Sequence, residues 1–303
     1  MRVTLLAGGT GGTKLARGFA MLPEVELSVI ANVGDDTEMH GLLVCPDIDA
    51  LLYTLSGLID TERGWGVVGD THTAHAMFER LGEETWFTVG DADLATHVHR
   101  DRLMRDGATM TDAIAAIGAA LGIGARILPS SDEPWRTVLS TDAGDLSFQD
   151  YFVRLRQEPE VRGVRFEGVG RPAPAVLEAL GAGDVVVIGP SNPIVSIGPI
   201  LALDGVREAI AAASVVAVSP IIAGSALKGP AGRMLASLGH DVSAIGVAHL
   251  YAGMADRFIL DEADADLAPA IADLGMEPVV LPTVMRSDAD RAVLAAAIVE
   301  GAS

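Results

Sequence analysis

The chain has 303 residues, half of them hydrophobic and only 4% aromatic, with one cysteine and a net charge of −20 from 21 Lys and Arg against 41 Asp and Glu. So acidic a chain has no long-range attraction for nucleic acid or an anionic membrane, and no apolar run approaches the roughly 20 residues that cross a bilayer. Cys45 alone excludes an internal disulfide framework, and MRVTLLAGG lacks the flanks of a secretory signal, so a cytoplasmic protein with small-molecule partners is expected.

In chain order, RVTLLAGGTGGTKLARGFAML reads as a buried strand, a glycine turn and an amphipathic helix. ELSVIANV is a second strand that ends just before Asp35. Strand, helix and strand in that order open a doubly wound sheet. A helix is predicted from Pro46, with Ile48, Leu51, Leu52 and Leu55 on its apolar stripe. Asp47 and Asp49 fall in its first turn, where the helix dipole favours negative charge.

Residues 59–180 change character. Glycine-broken and helical stretches give way to RTVLSTDAGDLSFQDYFV and VRGVRFEGV, which predict antiparallel strands. The parallel pattern then resumes in DVVVIGPSNP and SVVAVSPIIAG, each a strand running into a polar turn. Further strands are predicted at HDVSAIGV, DRFILDE and EPVVLPTVM, and a closing helix at DADRAVLAAAIVEG. The expected fold is α/β: a Rossmann-like doubly wound, mostly parallel sheet built from 1–58 and 181–303. Segment 59–180 would form an inserted α+β subdomain, and apolar helices on the sheet suit a homodimer.

Two glycine-bearing turns carry the first chemical signal. AGGTGGTK, at Ala7–Lys14, joins a strand to a helix and suits phosphate held on backbone N–H groups. It fits neither familiar spacing: GxGxxG would need Gly at position 14, which is Lys14, and the Walker pattern is broken at Thr13. Tight packing is the plain alternative. GPSNPIVSIGPI, with Ser191, Asn192 and Ser196, leaves a parallel strand at the edge where open α/β sheets bind ligands. Together the turns suggest a nucleotide cradle of Gly9, Thr10, Gly11, Gly12, Lys14, Ser191, Asn192 and Ser196.

The second signal is NVGDDTEMHGLLVCPDIDALL, where Asp35, Asp36, Asp47 and Asp49 stand among apolar residues. Clustered carboxylates repel one another unless one is protonated or a cation lies between them. With phosphate nearby, Mg²⁺ is the expected cation, held by Asp47 and Asp49. Helix capping by Asp47 is the plainer reading. TVGDADLATH repeats the logic, with Thr88 and Asp91 ahead of a helix; His97 and His99, two apart, face different ways and make a poor metal pair.

The ordered set AGGTGGTKLARG, NVGDD, MHGLLVCPDIDALLYTLSG, RGWG, GDADLATH, ILPSSDEP, FQDYFV, GPSNPIVSIGPIL and VSPIIAGSALKGPAG resembles the 2-phospho-L-lactate transferase family of coenzyme F-420 biosynthesis. Its bacterial members are called phosphoenolpyruvate transferases. The resemblance implies a Rossmann-like core and a Mg²⁺-dependent reaction. In it the ribityl hydroxyl of Fo (7,8-didemethyl-8-hydroxy-5-deazariboflavin) attacks lactyl- or enolpyruvyl-diphospho-guanosine, giving F-420-0 or its dehydro form and GMP. Matched by motif, Asp49 and Thr88 would contact Fo, Asp49 would be catalytic, Asp47 and Asp49 would neighbour the metal, and AGGTGGTK and GPSNP would hold the guanosine diphosphate portion. Many relatives read GDRD where this chain has GDAD, so Ala92 removes a cation there.

Two other classes fit the same fold. A nicotinamide oxidoreductase would use Asp35 or Asp36 on a ribose, which the failed GxGxxG spacing opposes. A non-enzymatic nucleotide- or nucleotide-sugar-binding regulatory protein would need no deazaflavin.

Overall fold

Runs of Val, Ile, Leu and Ala build a seven-stranded sheet in the computed structural model, which describes residues 1–301. In chain order the elements begin β1 (Arg2–Ala7), α1 (Gly9–Ala20), β2 (Glu26–Ala31), β3 (Thr37–Met39), β4 (Leu42–Val44), α2 (Pro46–Ser56) and α3 (Thr73–Leu81). Then come α4 (Asp91–Arg105), α5 (Met110–Ala120), β5 (Arg126–Pro129), β6 (Trp135–Thr141), β7 (Gly144–Ser147) and β8 (Val161–Gly168). Next are α6 (Pro174–Ala182), β9 (Val185–Ile188), α7 (Gly198–Leu201), α8 (Val206–Ala211), β10 (Val215–Val218), β11 (Ile221–Ile222) and β12 (Ser225–Ala226). The last are α9 (Ala231–Ser237), α10 (Ala244–Tyr251), β13 (Arg257–Asp261), α11 (Ala268–Ala272), β14 (Glu277–Leu281) and α12 (Asp288–Gly301).

The main sheet runs β14-β13-β10-β9-β1-β2-β5, with every pair parallel. Counted within the sheet this is 3-2-1-4-5-6-7 read from the β5 edge, so the winding reverses between β1 and β9. Ligands of open α/β sheets bind at such a reversal, outside the carboxyl ends of the strands. The two central strands are mostly apolar inside: Leu5, Leu6, Val187 and Ile188 have no exposure. On one face α1 lies against α12, so closely that a Cβ on Gly18 would overlap the Arg291 carbonyl. Among the described residues no helix is long and apolar enough to cross a membrane.

The doubly wound, mostly parallel sheet expected from the sequence is present, and the antiparallel strands form a separate sheet of order β7-β6-β8. Two details differ. HDVSAIGV is a bend followed by α10, not a strand: the Ser243 hydroxyl accepts from Gly246 N at 3.1 Å and caps a helix. The apolar positions Ala244, Val247, Ala248 and Tyr251 carry the i, i+3, i+4, i+7 spacing that the strand reading overlooked. In addition, β5, within segment 59–180, pairs in parallel with β2 and forms one edge of the main sheet.

Candidate functional site

β1 ends and α1 begins beside β9, which brings AGGTGGTK and GPSNP together at the reversal. Packing dictates most of the glycines. A Cβ on Gly8 would lie 2.6 Å from Asp47 Oδ2, one on Gly12 2.5 Å from Ser191 Oγ, and one on Gly11 would overlap the Pro190 carbonyl. Gly9 has nothing near its missing Cβ but a φ of 61°, which favours glycine. Gly8 N–H donates to Ser191 Oγ at 3.2 Å, and Gly9 N–H to Asp47 Oδ1 at 2.6 Å. A carboxylate of the protein itself therefore sits at the positive end of α1.

The remaining cradle residues adjoin this contact. Ser191 and Ser196 are buried, while Thr10 and Lys14 are half-buried on α1. Asn192 Oδ1 accepts from Ile194 N at 2.9 Å and caps the π-helical turn Pro193–Ile197. Lys14 Nζ donates to Met285 O at 3.1 Å, and burial, then Arg291 and Lys228, lower its pKa.

All four aspartates are buried, between 5 and 7% exposed. Asp35 and Asp36 come from the loop after β2, Asp47 and Asp49 from the first turn of α2. Asn32 organises one side: its Oδ1 accepts from Gly34 N at 2.8 Å, and its Nδ2 donates to Asp47 Oδ2 at 2.9 Å and to Val195 O at 3.2 Å. Burial raises the Asp47 carboxyl, opposed by Gly9 N–H and Asn32. Burial raises Asp35 well above the carboxylate range, and the neighbouring charges of Asp47 and Asp36 push it further. Burial also lifts Asp36 to about 7, against the pull of Arg136 and Arg100. Asp35 Oδ1 and Asp36 Oδ1 are buried with no hydrogen-bond partner.

Asp49 has the opposite surroundings. Two positions on along a helix turns a side chain about 200°, and the partners of Asp49 are not those of Asp47. Arg100 Nη1 donates to Asp49 Oδ1 at 2.5 Å, Arg100 Nη2 and Cys45 N to Oδ2 at 3.3 Å each, and His97 Nε2 lies 3.1 Å from Oδ2. Burial pushes Asp49 up, but Arg100 and His97 outweigh it and hold the carboxyl at about 2. His97 also lies 3.3 Å from Asp93 Oδ1, which accepts from Tyr53 OH at 2.7 Å. Burial lowers the imidazole, yet the bonds to Asp49 and Asp93 raise it to about 9.

Sequence reasoning set His97 aside and missed Arg100, a fully buried guanidinium whose Nη2 also donates to Leu43 O at 2.6 Å. The signal was Asp93, His97 and Arg100 at i, i+4 and i+7, one face of α4. His99 is exposed while His97 is buried, so the two face different ways as their spacing implied. Thr88 lies half-buried in the loop ahead of α4; Ala92 is exposed in the first turn, and Asp91 faces α3, accepting from Ala74 N at 2.9 Å.

Asp49, Asp93 and His97 bring ligand atoms within 4.8 Å of one another, a spacing compatible with a divalent metal. There His97 and Arg100 already lie against the Asp49 carboxylate, at 3.1 and 2.5 Å. Asp35 and Asp36, the first beside Asp47, have raised carboxyls and one unpartnered buried oxygen each, donors of the kind a hard cation takes.

Fold and site together define a Rossmann-like α/β protein with an acidic centre at its switch point. A family model described as 2-phospho-L-lactate transferase CofD matches residues 3–295. A 2-phospho-L-lactate transferase of Methanosarcina mazei is 42% identical over 299 residues, covering 98% of this chain and 99% of that one. A Phosphoenolpyruvate transferase of Streptomyces griseus is 38% identical over 296 residues, covering 94% and 93%. The chain belongs to the 2-phospho-L-lactate transferase CofD family and is a transferase. Among solved structures, a UPF0052 family member from Bacillus halodurans shares the fold, with a TM-score of 0.64 at 18% identity over 98% of both chains.

Proposed function

We propose that the chain acts in coenzyme F-420 biosynthesis. It transfers a 2-phospholactyl or phosphoenolpyruvyl group from lactyl- or enolpyruvyl-diphospho-guanosine to the ribityl hydroxyl of Fo, releasing GMP. The observation that carries this reading is the pair of unpartnered, buried carboxylate oxygens on Asp35 and Asp36, with Asp35 beside Asp47 and Asp47 bonded to the glycine turn. Phosphoryl transfer leaves a protein mainly to position reactants and neutralise charge on oxygen. A chain with a net charge of −20 needs a cation to hold a diphosphate. Mg²⁺ suits the donor set, which is oxygen only, with Asp47 as the carboxylate shared with the turn. When bound, it would neutralise the diphosphate and polarise the phosphorus under attack.

The protein's own groups do the rest. Gly9–Lys14 and Ser191–Ser196 line the place for the guanosine diphosphate portion, with Lys14 near its charge. Asp49 and Thr88 meet Fo. A carboxyl held at about 2 is ionised throughout the working range, so Asp49 orients the alcohol by accepting its hydrogen bond and is too weak a base to keep the proton. The alcohol oxygen forms the new bond to phosphorus, the bond to GMP breaks, and the proton is lost to solvent.

The names of the relatives point to both donors at similar identity, so the test uses both. The protein is incubated with Fo, Mg²⁺ and each donor, and the product is read by mass spectrometry. A phosphodiester of Fo from one donor is expected. Absence of product from both, with folded protein and bound nucleotide, refutes the reading.

A further inference from the structure

Three consecutive carbonyls of the acidic loop are captured from the antiparallel sheet. Arg136 Nη1 donates to Val33 O at 3.2 Å, Thr137 N to Gly34 O at 2.8 Å, and Gln149 Nε2 to Asp35 O at 3.2 Å. Arg136 and Thr137 lie on β6, and Gln149 follows β7 as the glutamine of FQDYFV. The grip is tight: a Cβ on Gly34 would lie 2.5 Å from Thr137 Oγ1, 2.9 Å from Asn32 Oδ1 and 3.0 Å from Pro199 Cγ. β6 is itself anchored to the core, since Trp135 Nε1 donates to Pro199 O at 2.9 Å.

This arrangement fixes where two repelling side chains point. Asp35 and Asp36 would separate and turn to solvent if the loop were free, because each carries an unpartnered buried oxygen. Holding the main chain by its carbonyls keeps Asp35 Oδ1 and Asp36 Oδ1 buried and without a partner. Gln149 is 5% exposed, so its amide has no solvent alternative to Asp35 O.

We propose that Gln149, together with β6, is a positioning residue that presents Asp35 and Asp36 to a divalent cation. This rests on the reading of the acidic cluster as a cation site. Removing the amide donor with little change of volume, Gln149→Met, frees the Asp35 carbonyl without deleting any carboxylate. Loss of an outer partner of this kind typically weakens metal binding by about tenfold or more.

The test is calorimetric titration of Mn²⁺ and Mg²⁺ into the full chain, without substrates, alongside thermal melts. Wild type is expected to bind, and Gln149→Met to bind about tenfold more weakly. Leu139→Val, which loosens the buried side of β6 without touching the loop, is expected to lower the melting temperature yet keep the wild-type affinity. Equal affinity in wild type and Gln149→Met overturns this inference and leaves the cation site standing. Weakened binding in Leu139→Val to the same degree as in Gln149→Met also overturns it, because any loosening of the sheet then suffices. No binding by wild type overturns both readings.

Discussion

Asp47 and Asp49 begin the same helix and are equally buried, yet one side of the cluster is starved of positive charge and the other is saturated. On the Asp47 side, Asp35 has a raised carboxyl and an idle oxygen; Asp36, also with an idle oxygen, stands between the two sides within the field of Arg136 and Arg100. On the Asp49 side, a guanidinium and an imidazole from α4 neutralise the charge from within. Burial is common to both, so the nearby cations decide the difference. A carboxylate with an internal counter-ion stays ionised without help from outside. One without it is left to an external ion.

Removing the internal counter-ion should have the largest effect. Arg100→Met leaves Asp49 buried with His97 as its remaining ion-pair partner, and a loss of about 3–5 kcal/mol in unfolding free energy is expected from denaturant titration. Retained stability would mean that Asp49 moves to solvent and that the two sides are not distinct. Asp35→Asn should do the reverse: the melting temperature at pH 8 rises as repulsion is relieved, while transfer falls by about a hundredfold or more, read as product per minute. A variant that melts lower and transfers normally would erase the contrast.

Acidity sharpens the comparison further. Protons compete with a cation at the Asp36 carboxyl, raised to about 7, so Mn²⁺ affinity should fall by up to about tenfold per unit as the pH drops from 8 to 6. A flat profile would place the cation elsewhere. On the Asp49 side the signs are separate. His97 is raised in the folded state, so its contribution is full below about 6.5 and lost as pH climbs through about 9. Asp49 is depressed, so its contribution is present above the ordinary carboxylate range and lost as pH falls through about 2. Melting temperature should therefore decline by a few degrees between pH 6.5 and 9, and His97→Gln should flatten that limb. The smallest effect is expected on the surface. Arg102 pairs with Asp106 at 3.1 Å with more than half of each side chain exposed, and Arg102→Ala should shift the melting temperature by no more than about one degree.

The parallel core was readable because β-branched runs, glycine turns and an amphipathic first helix all agree on one architecture, and Pro46 does begin the helix that its neighbours implied. The aspartates stood out in the sequence because charge in an apolar stretch demands a partner. Their division into two sides did not, since the deciding cations lie about fifty residues away in sequence on α4. A one-face reading of Asp93, His97 and Arg100 would have found them. Nor could spacing show that FQDYFV reaches back to Asp35, because that contact depends on how the antiparallel sheet seats against Pro199. In HDVSAIGV a short apolar run was taken for a strand where the serine cap and helical period decide the matter.

The two oxygens of Asp47 serve different masters, Gly9 of the first helix and Asn32 of the acidic loop. One carboxylate ties the start of that helix to the acidic loop, and a displacement of either strand-end is carried to the other. Filling either compartment thus alters the appetite of its neighbour, and by reciprocity the influence runs equally in both directions.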